Sequence, residues 1–124
     1  MPSPILKQGD VLIVSILDSL TDRDFLQIRD ELAEKVGRLR SRGVVIDVSA
    51  VDIMDSFATR TLRGIGQTAR LRGAETVIVG IQPEVAFAMV QLGLTLDGVA
   101  TALDLEEAME LLAAQRSEGG DGGA

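Results

Sequence analysis

Apolar and polar positions along the chain follow two periods in alternation. Ile5 to Lys7 and Val11 to Ile16 read as two short strands around the turn Gln8-Gly9-Asp10. Phe25, Ile28, Leu32, Val36 and Leu39 then recur at spacings of three and four, the stripe of an amphipathic helix. Thr21-Asp22-Arg23-Asp24 supplies its start, with Thr21 or Asp22 as cap, and Arg42-Gly43 its expected end. Gly43 to Val48 is an unbroken apolar run that reaches Asp47, the mark of a strand buried on both faces. A second helix is predicted from about Ser56 to Leu71, with Phe57, Leu62, Ile65 and Ala69 inward and Arg72-Gly73-Ala74 closing it.

Thr76 to Ile81 is the next strand, with β-branched Val77-Ile78-Val79 at its centre. Pro83 opens a short helix through Leu92, stopped by Gly93. Val99-Ala100 reads as a last short strand, and Leu103 to Gln115 as the final helix, with Leu105, Ala108, Met109 and Leu112 inward. Residues 117–124 are Gly-rich and acidic and are expected to be a disordered tail. Strand-helix alternation of this kind implies one α/β domain over residues 1–116: a mostly parallel mixed sheet, an N-terminal hairpin and four helices.

Composition narrows the chemistry. The chain has no His and no Cys, which removes imidazole metal sites, Ser-His-Asp triads, thiol catalysis and disulfides. Three Phe are the only aromatic residues, too few for stacking on single-stranded nucleic acid. A net charge of −7 argues against a phosphate-backbone partner. No run is long and apolar enough to span a membrane, and Met1-Pro2-Ser3-Pro4 has no basic stretch before an apolar one, so no signal peptide is expected. The expected location is the cytoplasm.

The candidate chemistry lies in Asp47-Val48-Ser49-Ala50-Val51-Asp52-Ile53-Met54-Asp55-Ser56-Phe57-Ala58-Thr59-Arg60, which leaves the buried strand and enters the second helix. Ser56 sits at or beside a helix N-terminus, where backbone N–H groups and the dipole favour a phosphate while Asp52 and Asp55 oppose it. The plain alternative is a capping serine, with Asp55 sharing the task. Asp47, Asp52 and Asp55 could hold Mg²⁺, or Asp47 accept a phosphoryl group as in receiver domains. The expected Lys after the later strand is missing from Gly80-Ile81-Gln82-Pro83, so loop solvation and capping are the preferred roles. Gly64-Ile65-Gly66 falls inside a helical pattern and reads as a close-packing site, and Met54, Met89 and Met109 as apolar filler. Phe57 either staples the helix to the sheet or stands partly exposed.

Val44-Val45-Ile46-Asp47-Val48-Ser49 followed by Ile53-Met54-Asp55-Ser56 resembles the signature of STAS domains, the sulfate-transporter and anti-sigma-factor-antagonist fold. Free antagonists carry Asp-Ser-Ser-Gly or a close variant. Here Asp55-Ser56-Phe57-Ala58-Thr59-Arg60 is similar instead to the RsbS branch, the small STAS subunit of the stressosome. The resemblance implies a binding protein rather than an enzyme, with no cofactor and no metal. It implies co-assembly with RsbR-like STAS proteins, capture of an RsbT-like serine/threonine kinase, and release of that kinase on phosphorylation. An RsbX-like phosphatase would reset the state. By position it implies Ser56 as phospho-acceptor and Asp55, Phe57, Thr59 and Arg60 as partner-binding residues; a homodimer is compatible with it. Two alternatives stay open: a free anti-sigma-factor antagonist and a small nucleotide-binding α/β protein.

Overall fold

The computed structural model describes residues 5–18 and 20–123, with side chains to residue 115. Residues 1–4, Ser19 and Ala124 lie outside the description, and with them the N-terminal stretch read above for a signal peptide. The strands are β1 (Ile5–Gln8), β2 (Val11–Ser15), β3 (Gly43–Asp47), β4 (Glu75–Val79) and β5 (Ala100–Ala102). The helices are α1 (Asp22–Leu39), α2 (Ser56–Leu71), α3 (Pro83–Gln91) and α4 (Leu105–Gly123). The five strands form one sheet in the order β1-β2-β3-β4-β5. β1 pairs antiparallel with β2, and the remaining pairs are parallel.

Side chains alternate across the sheet as its pleat requires. Val44 and Ile46 of β3 and Ile78 of β4 face one apolar cluster with Phe25, Ile28 and Leu32 of α1, Leu62 and Ile65 of α2, and Val85 and Met89 of α3. Val45, Val77 and Val79 face the other side, where Ala108 and Leu112 of α4 cover them. The central strands are therefore apolar at consecutive positions because each face meets helices. Met54 and Met89 are buried filler, as expected.

Several boundaries differ from expectation. Thr21 caps α1 in a reciprocal capping box with Asp24, but the helix stops at Leu39, because Arg40 turns left-handed (φ 52°). Gly43 is not the stop. It opens β3, where a Cβ would come within 2.7 Å of Leu112 Cδ1. Gly66 makes room for Val99, while Gly64 faces open space, so close packing applies to one of the pair. β5 begins at Ala100. In α4, Leu105 stays exposed, since contact with the sheet starts a turn later at Ala108. The apolar pattern ends this helix at Gln115 and leaves residues 117–124 as a disordered tail, whereas helical backbone continues to Gly123. Extending an existing helix avoids the nucleation cost that a separate Gly-rich segment would face.

Candidate functional site

The site is assembled at the carboxyl ends of the parallel strands. β3 ends at Asp47, whose Oδ1 accepts the Ser49 N–H at 2.9 Å and turns the chain out of the sheet. Val51 and Met54 return to the core, and between them Asp52 and Ile53 are left outside, Ile53 79% exposed. Two neighbouring loops hold this bulge. The Asp52 N–H donates to Asp18 Oδ1 at 3.2 Å, from the loop after β2. From the loop after β4, Gln82 Nε2 donates to the Ser49 carbonyl at 2.9 Å and to Asp52 Oδ1 at 3.1 Å. Gly80 allows the approach: its φ is +79°, and a Cβ there would stand 2.9 Å from Ser49 Cβ.

Asp55, not Ser56, is the cap of α2. It is extended (φ −82°, ψ −178°), and its Oδ1 accepts the Ala58 N–H at 2.8 Å. That sets aside the alternative of Ser56 as the cap and puts Ser56 beside it, at the first helical position. Ser56 is exposed, and its hydroxyl has no hydrogen-bond partner among the described residues. The residues around it are fixed from within. Thr59 is 1% exposed and donates its hydroxyl to the Asp55 carbonyl at 2.9 Å. Thr61 does the same to the Phe57 carbonyl at 2.8 Å. Phe57 is half-buried against the larger core cluster, so it staples the helix and also stays partly exposed, the two roles weighed for it. Arg60 is exposed one turn on, and no ion pair among the described residues includes it.

Of the residues singled out in the sequence, Ser56 and Arg60 are exposed and Phe57 partly so, on the same exposed stretch of chain as Asp52 and Ile53. Thr59 does not reach it: burial restricts it to holding the first turn of α2. Asp18, Gly80 and Gln82 belong to the site but were not identified as such. Their contacts bridge loops far apart in sequence, which local periodicity cannot register. Among the described residues, Asp47, Asp52 and Asp55 do not group into a metal-binding cluster. A cavity of about 460 Å³ lies at the opposite, amino ends of the strands. Its charges, Asp10 and Glu75 with Arg42 and Arg70, are balanced, and Arg70 is already paired with Glu75 at 3.3 Å.

A carboxyl held away from its ordinary value stands in the first turn of α1. The backbone N–H of Thr21, followed by its hydroxyl, holds Asp24 below the usual carboxylate range. No helix among the described residues is long and apolar enough to cross a membrane.

Comparison with known proteins gives this geometry a family. The chain is similar to a serine-to-glutamate form of Moorella thermoacetica RsbS, with 37% identity, 94% of this chain and 99% of that one covered, and a TM-score of 0.81. It is similar to a chain in a structure described as the molecular architecture of the stressosome, a signal integration and transduction hub. There identity is 39%, coverage 91% and 98%, and TM-score 0.77. A curated relative is the RsbT co-antagonist protein RsbRA of Bacillus subtilis (strain 168), 26% identical over 101 residues and 82% of this chain. The chain spans only 37% of that relative's length. The STAS domain model matches residues 4–108, the whole sheet, α1 to α3 and the start of α4. By that match and by its fold of one mixed five-stranded sheet with four helices, the chain belongs to the STAS domain family.

Proposed function

We propose that this chain is the RsbS-like subunit of a stressosome: a non-catalytic cytoplasmic STAS scaffold that assembles with RsbR-like proteins and holds an RsbT-like serine/threonine kinase. Phosphorylation of Ser56 releases that kinase, and an RsbX-like phosphatase restores the binding form. One observation carries the reading. Ser56 is an exposed hydroxyl without a partner among the described residues, on a helix turn whose neighbouring residues are anchored. A kinase can reach it without unfolding anything. Likeness to RsbS over nearly the full chain supports the same reading.

The release follows from charge. A phosphoserine carries about −1.5 to −2 charges at neutral pH. Here it would stand beside Asp52 and Asp55, on a surface that also presents apolar Ile53. A partner packed on Ile53 and on the open edge of Phe57 would have to strip water from that group, losing both packing and electrostatic fit.

The test is to incubate the chain with its cognate kinase and ATP and locate phosphate by mass spectrometry, then to repeat kinase capture with Ser56→Ala and Ser56→Asp. Phosphate should appear mainly on Ser56. Ser56→Ala should retain the kinase, and Ser56→Asp should free at least part of it. Phosphate on Ser15 or Ser49 with Ser56 unmodified would overturn the proposal, as would equal capture by both variants.

A further inference from the structure

The ends of two neighbouring helices carry more arginine than the fold uses. The end of α1 and the turn after it hold Arg38, Arg40 and Arg42, and the end of α2 holds Arg70 and Arg72, five of the twelve basic residues in the chain. The two turns adjoin at the amino ends of β3 and β4, where the Glu75 N–H donates to the Arg42 carbonyl at 3.0 Å. Arg38 and Arg70 lie in the last helical turns, where they complement the dipoles, and pair with Glu34 at 2.8 Å and Glu75 at 3.3 Å. Arg40, Arg42 and Arg72 lie past those turns. They are exposed and enter no ion pair among the described residues. The acids nearby are already engaged: Glu34 and Glu75 in these pairs, Asp10 likewise, and Asp97 with the Thr95 hydroxyl at 3.1 Å.

Two local choices favour these charges over helix stability. Gly37 lies inside α1, where glycine weakens a helix relative to alanine. Its lack of a side chain admits the Arg72 guanidinium, which would collide with a Cβ at that position. The side chain of Arg72 thereby reaches from the end of α2 onto the last turns of α1. Arg40 takes the left-handed conformation that stops α1 (φ 52°, ψ 45°), a place that glycine commonly fills. Glycine within the helix and arginine at its stop break local preference twice, and both exceptions set guanidinium groups at this end of the sheet. Between Arg70 and Arg72 in the sequence stands Leu71, 88% exposed.

We infer that this end of the domain docks an acidic segment of another protein, one in which carboxylates flank an apolar residue. A guanidinium binds a carboxylate through two parallel N–H···O bonds, so Arg40, Arg42 and Arg72 fix the acids while Leu71 takes the apolar residue. In a chain of net charge −7, an acidic partner is repelled by the surface as a whole and attracted here. A second copy is a poor source of such a segment, because its Asp18, Asp47, Asp52 and Asp55 carboxylates already accept hydrogen bonds from their own domain. A membrane would need more apolar surface than one leucine, since even a single myristoyl chain binds only marginally. Ser56 opens α2 and Arg72 follows its end, so about 24 Å of helix separates them. The docking does not depend on Ser56 or on any kinase.

Amide NMR titration of the full chain with the synthetic peptide Glu-Glu-Leu-Glu-Glu-Leu-Glu-Glu tests it. Saturable shifts should gather at residues 37–43 and 70–75 and shrink as salt rises from about 50 to 500 mM. Arg40→Glu and, separately, Arg72→Glu should weaken binding about tenfold, from a lost attraction and a new repulsion. Arg23→Glu makes the same change in net charge at the opposite end of α1 and should leave binding within about twofold. Gly37→Ala removes no charge but displaces the Arg72 guanidinium, and should weaken binding about threefold. Leu71→Ser, or serine in place of the peptide's leucines, should weaken it by a similar factor. Circular dichroism melts establish which variants are folded, and Arg72→Glu or Gly37→Ala alone suffices for the comparison. Absence of saturable shifts, shifts centred elsewhere, or an equal loss with Arg23→Glu overturns the inference. So does a chain that ignores the peptide but binds phosphatidylserine vesicles, or its own copies, through Arg40 and Arg72.

Discussion

Replacing Gln82 by Glu exchanges one atom's chemistry and should loosen the loop that presents Ser56. The Gln82 amide donates to the Ser49 carbonyl at 2.9 Å and to Asp52 Oδ1 at 3.1 Å. Gln82→Ala deletes both bonds and lets water take over the acceptors. At about 0.5–1 kcal/mol net for each exposed bond, the loss is about 1–2 kcal/mol. Gln82→Glu deletes the same bonds and also aims a carboxylate at the Asp52 carboxylate. Two like charges about 4 Å apart repel by about 1 kcal/mol in water and about 4 kcal/mol at an effective dielectric of 20. The loop is solvent-exposed, so the lower part of that range applies, about 1–2 kcal/mol.

Gln82→Glu should therefore lose about 2–4 kcal/mol, clearly more than Gln82→Ala. Urea denaturation of the wild type, Gln82→Ala, Gln82→Glu, Asp52→Asn and Gln82→Glu/Asp52→Asn reads this, the last two with Gln82→Glu and the wild type closing a double-mutant cycle. Adding Asp52→Asn to the Gln82→Glu variant removes the repulsion and offers an amide donor, so about 1–2 kcal/mol should return. Equal stability of the two Gln82 single variants, or no recovery with Asp52→Asn, would refute the reasoning and with it the bridging role of Gln82.

Other substitutions probe the remaining parts. Gly80→Ala should cost about 2–4 kcal/mol, from its left-handed backbone and the crowding against Ser49; a melting temperature within about two degrees of wild type would contradict this. Asp24 contributes stability above its unfolded-state titration and loses it as pH falls through its lowered folded value. Asp24→Asn should thus be less stable at neutral pH but lose less on acidification, and parallel stability–pH curves for the two proteins would refute this. Arg60 lies one turn from Ser56 on the same helix face, so Arg60→Ala should destabilise the phosphorylated chain by about 0.3–0.5 kcal/mol more than the unmodified one, as chemical denaturation of both forms can show.

Much of this fold is legible in the sequence because its elements are locally consistent. Val44-Val45-Ile46 is apolar at every position, and both its faces are covered. Thr21 and Asp24 stand three apart and form the capping box that this spacing allows. The misjudged boundaries depend on tertiary partners. Arg40 ends α1 in a conformation usually left to glycine, while Gly43, which looks like a stop, is small because Leu112 from α4 lies against it. The site divides in the same way. Ser56 stands out by its motif, but whether it or Asp55 caps α2 is set by the backbone of a loop that Gln82 and Asp18 hold from 30 and 34 residues away.

That division has a functional consequence. The carboxylate of Asp55 and the hydroxyl of Thr59 secure the first turn of α2, and Phe57 pins it to the core. None of these contacts uses the Ser56 side chain. Modifying Ser56 therefore leaves the turn's own fastenings intact and changes only what the surface presents. The dipole at the start of α2 favours an added phosphate by about 0.3–1 kcal/mol, and Asp52 and Asp55 oppose it by a screened amount of the same order. With the two nearly balanced, a Ser56-phosphorylated domain should share one fold with the unmodified one, and under the proposed function a partner would tell them apart by the charge it meets beside Ile53. A serine used as the cap would have tied its modification to the folding of α2; giving the cap to Asp55 separates the two.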